Sequence, residues 1–298
     1  MPISFSKEIP VMEEFVREEF EKNYLKPQKP VIIRNFFKGA DCYNKWTLDY
    51  FKQVAGDVEV GMYDDNKKEN LDKTLKEPNV RMKFRDYLDL IASEPTKLRI
   101  HLFDIFKHAP QLREDFYFPQ ISSTYLKKFP YMFFGGKGSV ARMHQDIDLS
   151  NVFLTQFTGK RRVTLFEPDY SSLLYRYPFN VHSAIDVSKP DYENFPALNY
   201  VKGLRCELEH GDTLFMPGEY WHYIEYTEGG FGMSIRSLNP SYKKRLEGVW
   251  KITVLSNIDD MMRKMLDKKW FEIKTEWANK RAETAMRQFP SKQEEVYA

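Results

Sequence analysis

Three polar residues, His144, Asp146 and His222, constrain the fold of this chain more than any other feature. Side chains two residues apart on an extended strand project to the same side, so His144 and Asp146 are able to bind one ion together while Gln145 points away. His222 lies far along the chain, directly after a Gly/Pro turn at 217–218, and must come from a different strand. The spacing therefore predicts a β-structure whose strands converge on a metal centre.

The ligand types indicate which chemistry such a centre would support. Two imidazoles and one carboxylate occupy one face of an octahedral metal and leave three positions open, as in non-haem Fe(II) oxygenases. A bare His-x-Asp pair arises often by chance, so the surrounding sequence has to support it. Residues 152–157 (VFLTQF) and 162–168 (RVTLFEP) have β-branched and aromatic content, and they flank a turn at Gly159. We predict that they form a hairpin in the wall of a barrel, and that the protein is a metal-dependent oxygenase.

Several blocks of sequence around these ligands resemble a known family. The chain resembles the Jumonji C group of the cupin superfamily, and within it the small asparaginyl, lysyl and arginyl hydroxylases similar to factor-inhibiting hypoxia-inducible factor. The likeness runs from about Phe133 to Leu238 and keeps its blocks in order. These blocks are 134–140 (FGGKGSV), 144–146 (HQD), 159–168 (GKRRVTLFEP), 185–196 (IDVSKPDYENFP), 211–217 (GDTLFMP) and 221–222 (WH).

The resemblance implies a mainly β fold with flanking helices, built on a double-stranded β-helix (the jelly-roll or cupin core) with a C-terminal helical extension. It also implies that His144, Asp146 and His222 hold Fe(II), that 2-oxoglutarate chelates this iron, and that dioxygen takes the last position. In such enzymes, decarboxylation of 2-oxoglutarate is coupled to oxidation of a substrate C–H bond. The expected product is a hydroxylated or demethylated substrate.

Two arginines compete to bind the distal carboxylate of 2-oxoglutarate. The family usually has a lysine where this chain has Arg161, which shares strand parity with Val163 and Leu165 and is therefore expected to point inward. The alternative is a surface arginine. Arg236 shares a polar strand face with Ser234, and both are further candidates for contacts with the co-substrate.

Other candidate residues follow from the resemblance. Asn151 is a candidate for co-substrate binding, and Asp148 for a substrate contact, with an exposed turn carboxylate as its alternative. Relatives cover the mouth of the barrel with a long insert, in which Tyr175, Tyr177 and His182 are candidate substrate contacts, against simple packing of the insert. The remaining histidines have no ligand partner at useful spacing, and we expect structural roles for them: His101, His108 and His210.

Composition limits the function classes. The chain has 45 basic and 43 acidic residues among 298, a formal charge of +2, so no stable nucleic-acid binding is expected. Two cysteines are too few for a disulfide framework and fit a reducing cytoplasm. The sequence shows neither a signal peptide nor a membrane span, so we expect a cytoplasmic protein without membrane contact.

We divide the chain into three regions: 1–120 flanking the core, 121–240 as the Jumonji C domain, and 241–298 as helices. In the first region we expect an amphipathic helix over 11–20, a strand over 29–36, helices over 46–54 and 84–91, and a strand near 58–62. In the last region, apolar residues recur at helical spacing. Such a stripe usually packs on its own domain, but relatives dimerise through these helices, so we predict a homodimer.

Two other functions stay open at this point. One is a cupin metalloenzyme that does not use 2-oxoglutarate, and the other is a catalytically silent Jumonji-like binding module. For an oxygenase, hydroxylation of a protein or peptide side chain is the leading reaction. Demethylation, tRNA modification and small-molecule hydroxylation stay open. The sequence does not distinguish Fe(II) from Zn(II) or Ni(II) in a purified sample.

Overall fold

The strands of this protein form two large β-sheets whose inner faces enclose a cavity. The computed structural model describes residues 3–65, 77–118, 120, 125–127 and 130–296. The strands of this part of the chain are β1 (Ser4–Glu8), β2 (Val11–Met12), β3 (Val31–Ile33), β4 (Glu59–Met62), β5 (Val80–Lys83), β6 (Arg99–Phe103), β7 (Tyr131–Gly135), β8 (Val140–His144), β9 (Asn151–Thr158), β10 (Arg161–Phe166), β11 (Lys202–Leu208), β12 (Thr213–Met216), β13 (Trp221–Tyr226) and β14 (Gly230–Ser237).

Helices flank these sheets at both ends of the chain. Short 3-10 turns occupy several of the connections. The α-helices of the described residues are α1 (Arg17–Phe20), α2 (Cys42–Lys45), α3 (Leu48–Ala55), α4 (Phe84–Ser93), α5 (Tyr242–Trp250), α6 (Ser256–Leu266) and α7 (Lys268–Val296), with π-helical turns at Glu21–Leu25 and Lys251–Leu255. Within the described residues, none of the helices combines the length and the apolar character needed to cross a membrane.

The sheet topology confirms the predicted fold class. One sheet has the strand order β1-β11-β10-β13-β8, the other has the order β2-β3-β12-β9-β14-β7-β6, and β4 pairs with β5. Nearly all neighbours are antiparallel; β1 with β11 and β2 with β3 are parallel. Strands β3 and β6, from the first 120 residues, pair with β12 and β7 and so extend the sheet of the central region.

Three apolar clusters hold these layers together. The first joins the N-terminal helices to the outer face of the seven-stranded sheet, where Phe51 packs edge-on against Phe134 and Phe231. The second lies between the two sheets and includes Leu154 of β9 and Leu165 of β10. The third packs the 173–201 segment and α7 on the outer face of the five-stranded sheet. The cavity is thus formed by two sheets that are each supported from outside.

Two local predictions were wrong. The segment 152–168 is not a hairpin, because β9 belongs to the seven-stranded sheet and β10 to the five-stranded one. Gly159, at a φ of 72°, turns the chain from one sheet into the other. The N-terminal helix begins only at Arg17, since Val11–Met12 is a strand that pairs with β3. The expected helices over 46–54 and 84–91 and the strand near 58–62 are confirmed as α3, α4 and β4.

Candidate metal centre

His144, Asp146 and His222 lie together at one end of the cavity. His144 ends β8 and is the direct antiparallel partner of His222 on β13, so the pairing register alone places the two rings side by side. Their ring centres are 4.1 Å apart. Asp146 follows just beyond the end of β8, and one ligand atom from each of the three residues lies within 4.8 Å of the others. This spacing suits a single metal ion.

Hydrogen bonds orient both imidazoles for metal binding. His144 Nδ1 lies 2.6 Å from the carbonyl oxygen of Arg142, and His222 Nδ1 lies 3.2 Å from that of Tyr220. A carbonyl oxygen only accepts, so Nδ1 carries the proton in each ring and Nε2 keeps its lone pair for a metal. Burial, reinforced by the neighbouring His222, lowers the pKa of His144 to about 3, and burial also lowers the pKa of His222. Both rings are therefore neutral at neutral pH, as metal ligands must be.

The third ligand, Asp146, is held as a carboxylate by Arg236. Burial raises the pKa of Asp146, but the Arg236 guanidinium, with a smaller effect of the two imidazoles, lowers it by more, so the net pKa lies below its usual range. Arg236 Nη1 is 3.1 Å from Asp146 Oδ2 and 3.1 Å from Asp148 Oδ1. It also donates to Ser150 Oγ at 3.0 Å. The charge of Arg236 is thus already balanced by two carboxylates.

Arg161 has a different environment, although it lines the same cavity. It is only 1% exposed, donates through Nε to Gln156 Oε1 and through Nη2 to the Thr155 carbonyl oxygen at 3.1 Å, and lies 5.5 Å from the ring centre of Tyr226. Among the residues that the structure describes, no carboxylate forms an ion pair with it. Burial lowers its pKa, with Tyr226 opposing this effect. Arg161 is therefore a buried cation whose described partners are neutral.

A glycine on β14 provides the space for this guanidinium. A Cβ atom at Gly232 would lie 2.0 Å from Arg161 Nη2 and 2.2 Å from the Thr155 carbonyl oxygen. Two residues further along β14, Ser234 lines the cavity with a buried Oγ that has no hydrogen-bond partner among the described residues. An orphaned buried hydroxyl is unusual and points to a missing ligand. Arg161 and Ser234 both line this cavity and both offer hydrogen-bond donors of the kind that a carboxylate accepts.

The cavity encloses about 540 Å³, within the usual range for small-molecule sites. Strands of both sheets line it, and the walls near the ligands include Val152, Leu154 and Met216. An apolar lining of this kind keeps water away from the charged groups and strengthens their interactions with a ligand. The donor set, the buried cation and the volume all fit Fe(II) with a small dicarboxylate.

Only some of the other predicted site residues line the cavity. Asp148 and His182 line the cavity. Asn151 does not belong to the described cavity lining; its Oδ1 accepts from the Gly218 amide at 3.1 Å. Tyr175 and Tyr177 are buried in the cluster of the 173–201 segment, where the Tyr175 hydroxyl accepts from the Ala197 amide at 3.1 Å. These two tyrosines therefore pack the insert and do not line the cavity.

Sequence reasoning missed several residues of the cavity wall. Arg99, at the start of β6, is buried and forms an ion pair with Asp65, and both line the cavity together with His101. Nothing in their spacing linked Asp65 to Arg99, because the two come from separate segments. Tyr131 also lines the wall, and its alternation with Phe133 on β7 was a signal that pointed to it. Gln145, expected to point away, lines the cavity and donates to the Glu219 carbonyl oxygen at 2.6 Å.

Comparison with known proteins agrees with this architecture. The family model described as a cupin-like domain matches residues 17–239. The chain belongs to this family. It is 28% identical over 247 residues to the tRNA wybutosine-synthesizing protein 5 of Gallus gallus, covering 76% of each chain. It is 26% identical over 224 residues to the lysine-specific demethylase 8 of Xenopus tropicalis, covering 73% of this chain and 50% of that protein.

A further relative is similar at the same level. The lysine-specific demethylase JMJ30 of Arabidopsis thaliana is 29% identical over 224 residues, which cover 70% of this chain and 49% of that protein. The chain thus spans about half the length of these demethylases. The resemblance to Jumonji C proteins is confirmed at the level of the family.

Proposed function

We propose that this protein is an Fe(II)- and 2-oxoglutarate-dependent oxygenase that hydroxylates a protein side chain and consumes dioxygen. The observation that carries this proposal is Arg161, a buried cation with neutral described partners in the same cavity as the three metal ligands. Burying an uncompensated charge is costly, so the arrangement needs an anion to complete it. A catalytically silent module, or a cupin enzyme that binds no anion, would leave this cation without a charged partner.

Each residue has a definite role in this proposal. His144, Asp146 and His222 would hold the iron, which together with 2-oxoglutarate and dioxygen supplies the oxidising power for a substrate C–H bond. Arg161 would bind the distal carboxylate of 2-oxoglutarate through its planar guanidinium, and Ser234 would donate its hydroxyl to the same group. Arg236 keeps the Asp146 carboxylate ionised and in place, since it pairs with that ligand.

An anaerobic titration tests the proposal. Metal-free protein is titrated with Fe(II) and then with 2-oxoglutarate, and the weak visible charge-transfer band of a chelated 2-oxo acid is followed. We expect a band in the wild type and none in His222→Ala. Iron binding without a band would favour a cupin enzyme that does not use 2-oxoglutarate, and failure to bind iron would leave a binding module.

The substrate class is the finer part of the proposal. Relatives named lysine-specific demethylases support a protein side chain, whereas the relative named for tRNA wybutosine synthesis matches a larger share of its own length and supports tRNA as a second candidate. Succinate formation from 2-oxoglutarate is measured with peptide libraries and with unmodified tRNA. Stimulation by peptides alone is the expected result, and stimulation by tRNA alone would replace the protein substrate with tRNA.

A further inference from the structure

A buried polar network connects the C-terminal helices to the wall of the cavity. At its centre is Asp259 of α6, which is 3% exposed. Asp259 Oδ1 accepts from Trp270 Nε1 and from Lys274 Nζ, both at 2.8 Å, and Lys274 is fully buried. Asp259 Oδ2 accepts from Arg263 Nη2 at 2.7 Å and from Asn180 Nδ2 at 3.1 Å. One carboxylate thus binds both helices, α6 and α7, and a residue of the segment that contributes Val181 and His182 to the cavity wall.

This carboxylate determines the orientation of the Asn180 amide. An ionised carboxylate only accepts hydrogen bonds, so the NH2 group of Asn180 must face Asp259 and its Oδ1 must face away. Asn180 Oδ1 accepts from the backbone N–H of His182 at 2.9 Å and contacts His182 Nδ1 at 2.8 Å. Because this oxygen cannot donate, the proton of the His182 ring lies on Nδ1.

His182 in turn lies against a metal ligand. Its ring is stacked on that of His144, with ring centres 5.7 Å apart and planes inclined by 19°. The backbones of the two residues form an antiparallel bridge, flanked by the Gln145 N–H bond to the Val181 carbonyl at 3.0 Å. The ring also lines the cavity. The orientation of His182 therefore shapes the cavity wall directly beside His144.

The energetic cost of this network argues for a role beyond stability. Burying Asp259 and Lys274 requires removing two charges from water, and apolar residues of the same size are often equally stable or more stable. What a network of this kind provides is one defined arrangement of its members. Here that arrangement links the helices after residue 255 to the His182 ring, which lies against His144.

We propose that Asp259 and Asn180 are positioning residues that hold His182 in its Nδ1-protonated form against His144, so that the C-terminal helices set the geometry of the cavity wall. The proposal rests on the proposed function only in taking His144, Asp146 and His222 as the metal centre. Asp259 contacts Asn180, Asn180 contacts His182, and His182 lies against His144, so their influence passes through His182.

The test compares variants that remove the network without leaving a buried charge. Asp259→Leu/Lys274→Met removes the buried pair together, and Glu276→Leu/Lys280→Met, an exposed ion pair on the same helix, is the matched control. Asn180→Leu is the second variant, because it breaks the last link directly. Long-range ¹H–¹⁵N correlation spectra of metal-free protein with labelled histidines report the tautomer of each ring, and His182→Gln assigns the signals.

We expect a single Nδ1-protonated pattern for His182 in the wild type and the control, and averaged nitrogen shifts in both network variants. In Co(II)-substituted protein, the visible bands should shift in the same two variants. Folded variants that keep the wild-type tautomer and cobalt spectrum would overturn the proposal, and Asn180→Leu decides it if the double variant does not fold. If the wild type shows no cobalt bands at all, the metal centre on which the proposed function depends is contradicted. The tautomer of His182, measured in metal-free protein, still tests the positioning role.

Discussion

Arg161 and Arg236 are both cations of the same cavity, but their partners give them different tasks. Arg236 already pairs with Asp146 and Asp148, so a further carboxylate would compete with two existing ones. Arg161 has neutral described partners. It lies beside Gly232, on the face of β14 that also carries Ser234. Within the proposed function, electrostatics therefore favours Arg161 for the co-substrate carboxylate and Arg236 as the partner of Asp146. The sequence placed both on inward strand faces but gave no information on their partners.

This division predicts that two substitutions weaken the binding of two different ligands. Arg161→Ala should weaken 2-oxoglutarate binding by about 10- to 100-fold, the loss of one charge-assisted interaction, with metal affinity unchanged. Arg236→Met should weaken metal binding by about 10- to 100-fold, because Asp146 loses its partner. Both affinities are measured by anaerobic titration. Arg162→Ala, on the adjacent and half-exposed residue that pairs with Glu225, is the control and should change neither. Equal effects of the two variants on both affinities would contradict the assignment.

The metal ligands also predict how stability depends on pH. Burial lowers the pKa of His144 from 6.5 to about 3, so between these values the unfolded chain binds more protons than the folded one. The free energy of unfolding of metal-free protein should therefore fall as the pH falls through this window. Urea unfolding at about pH 7 and about pH 5 measures the change, and His144→Gln should show a smaller one. An identical pH dependence in both proteins would show that His144 does not contribute.

At the scale of the elements, periodicity predicted which side chains point inward but not which strands pair. Arg161, Val163 and Leu165 share one face of β10 and are all buried, as their parity indicates. The sequence around Gly159 looks the same whether the chain folds back as a hairpin or crosses to the opposite sheet. That choice is made by closure of the two sheets, which depends on strands far away in sequence, such as β11 and β12. The same limit explains the strand at Val11–Met12, whose partner β3 lies beyond α1.

The crossing at Gly159 makes a prediction about stability. Gly159 and Gly138 both have positive φ, of 72° and 89°, so alanine at either site pays about 1 kcal/mol or more for the backbone conformation. Only at Gly159 would the added Cβ meet the backbone, 2.3 Å from the Gly229 carbonyl oxygen, whereas Gly138 has open space. Gly159→Ala should therefore reduce the free energy of unfolding clearly more than Gly138→Ala in urea titrations. Equal losses would mean that the crossing tolerates a side chain.

At the scale of the whole molecule, the C-terminal helices have two distinct surfaces. Trp270, Ala278 and Ala282 are buried against the 173–201 segment, so part of this region packs on its own domain. A second set of apolar residues in the same helices is exposed. These residues are Tyr242, Leu246, Val249, Trp250, Ile252, Val254, Met261, Met265 and Trp277. Periodicity identifies an apolar stripe, but it does not show whether the chain itself or a second copy covers it.

We propose that these exposed apolar residues form the interface of a homodimer, because they are concentrated in the C-terminal helices and because Met and Trp are enriched at interfaces. Deleting the residues after Asn257 would test this poorly, since it also uncovers the packed surface of Trp270 and Ala278. Leu246→Glu/Val249→Glu alters two side chains that are 53% and 57% exposed, so the fold should survive while the dimer dissociates. Light scattering after size-exclusion chromatography measures the mass. Val16→Glu, at an exposed position near the N-terminus, should leave the dimer intact, and a double variant that stays dimeric would place the interface elsewhere.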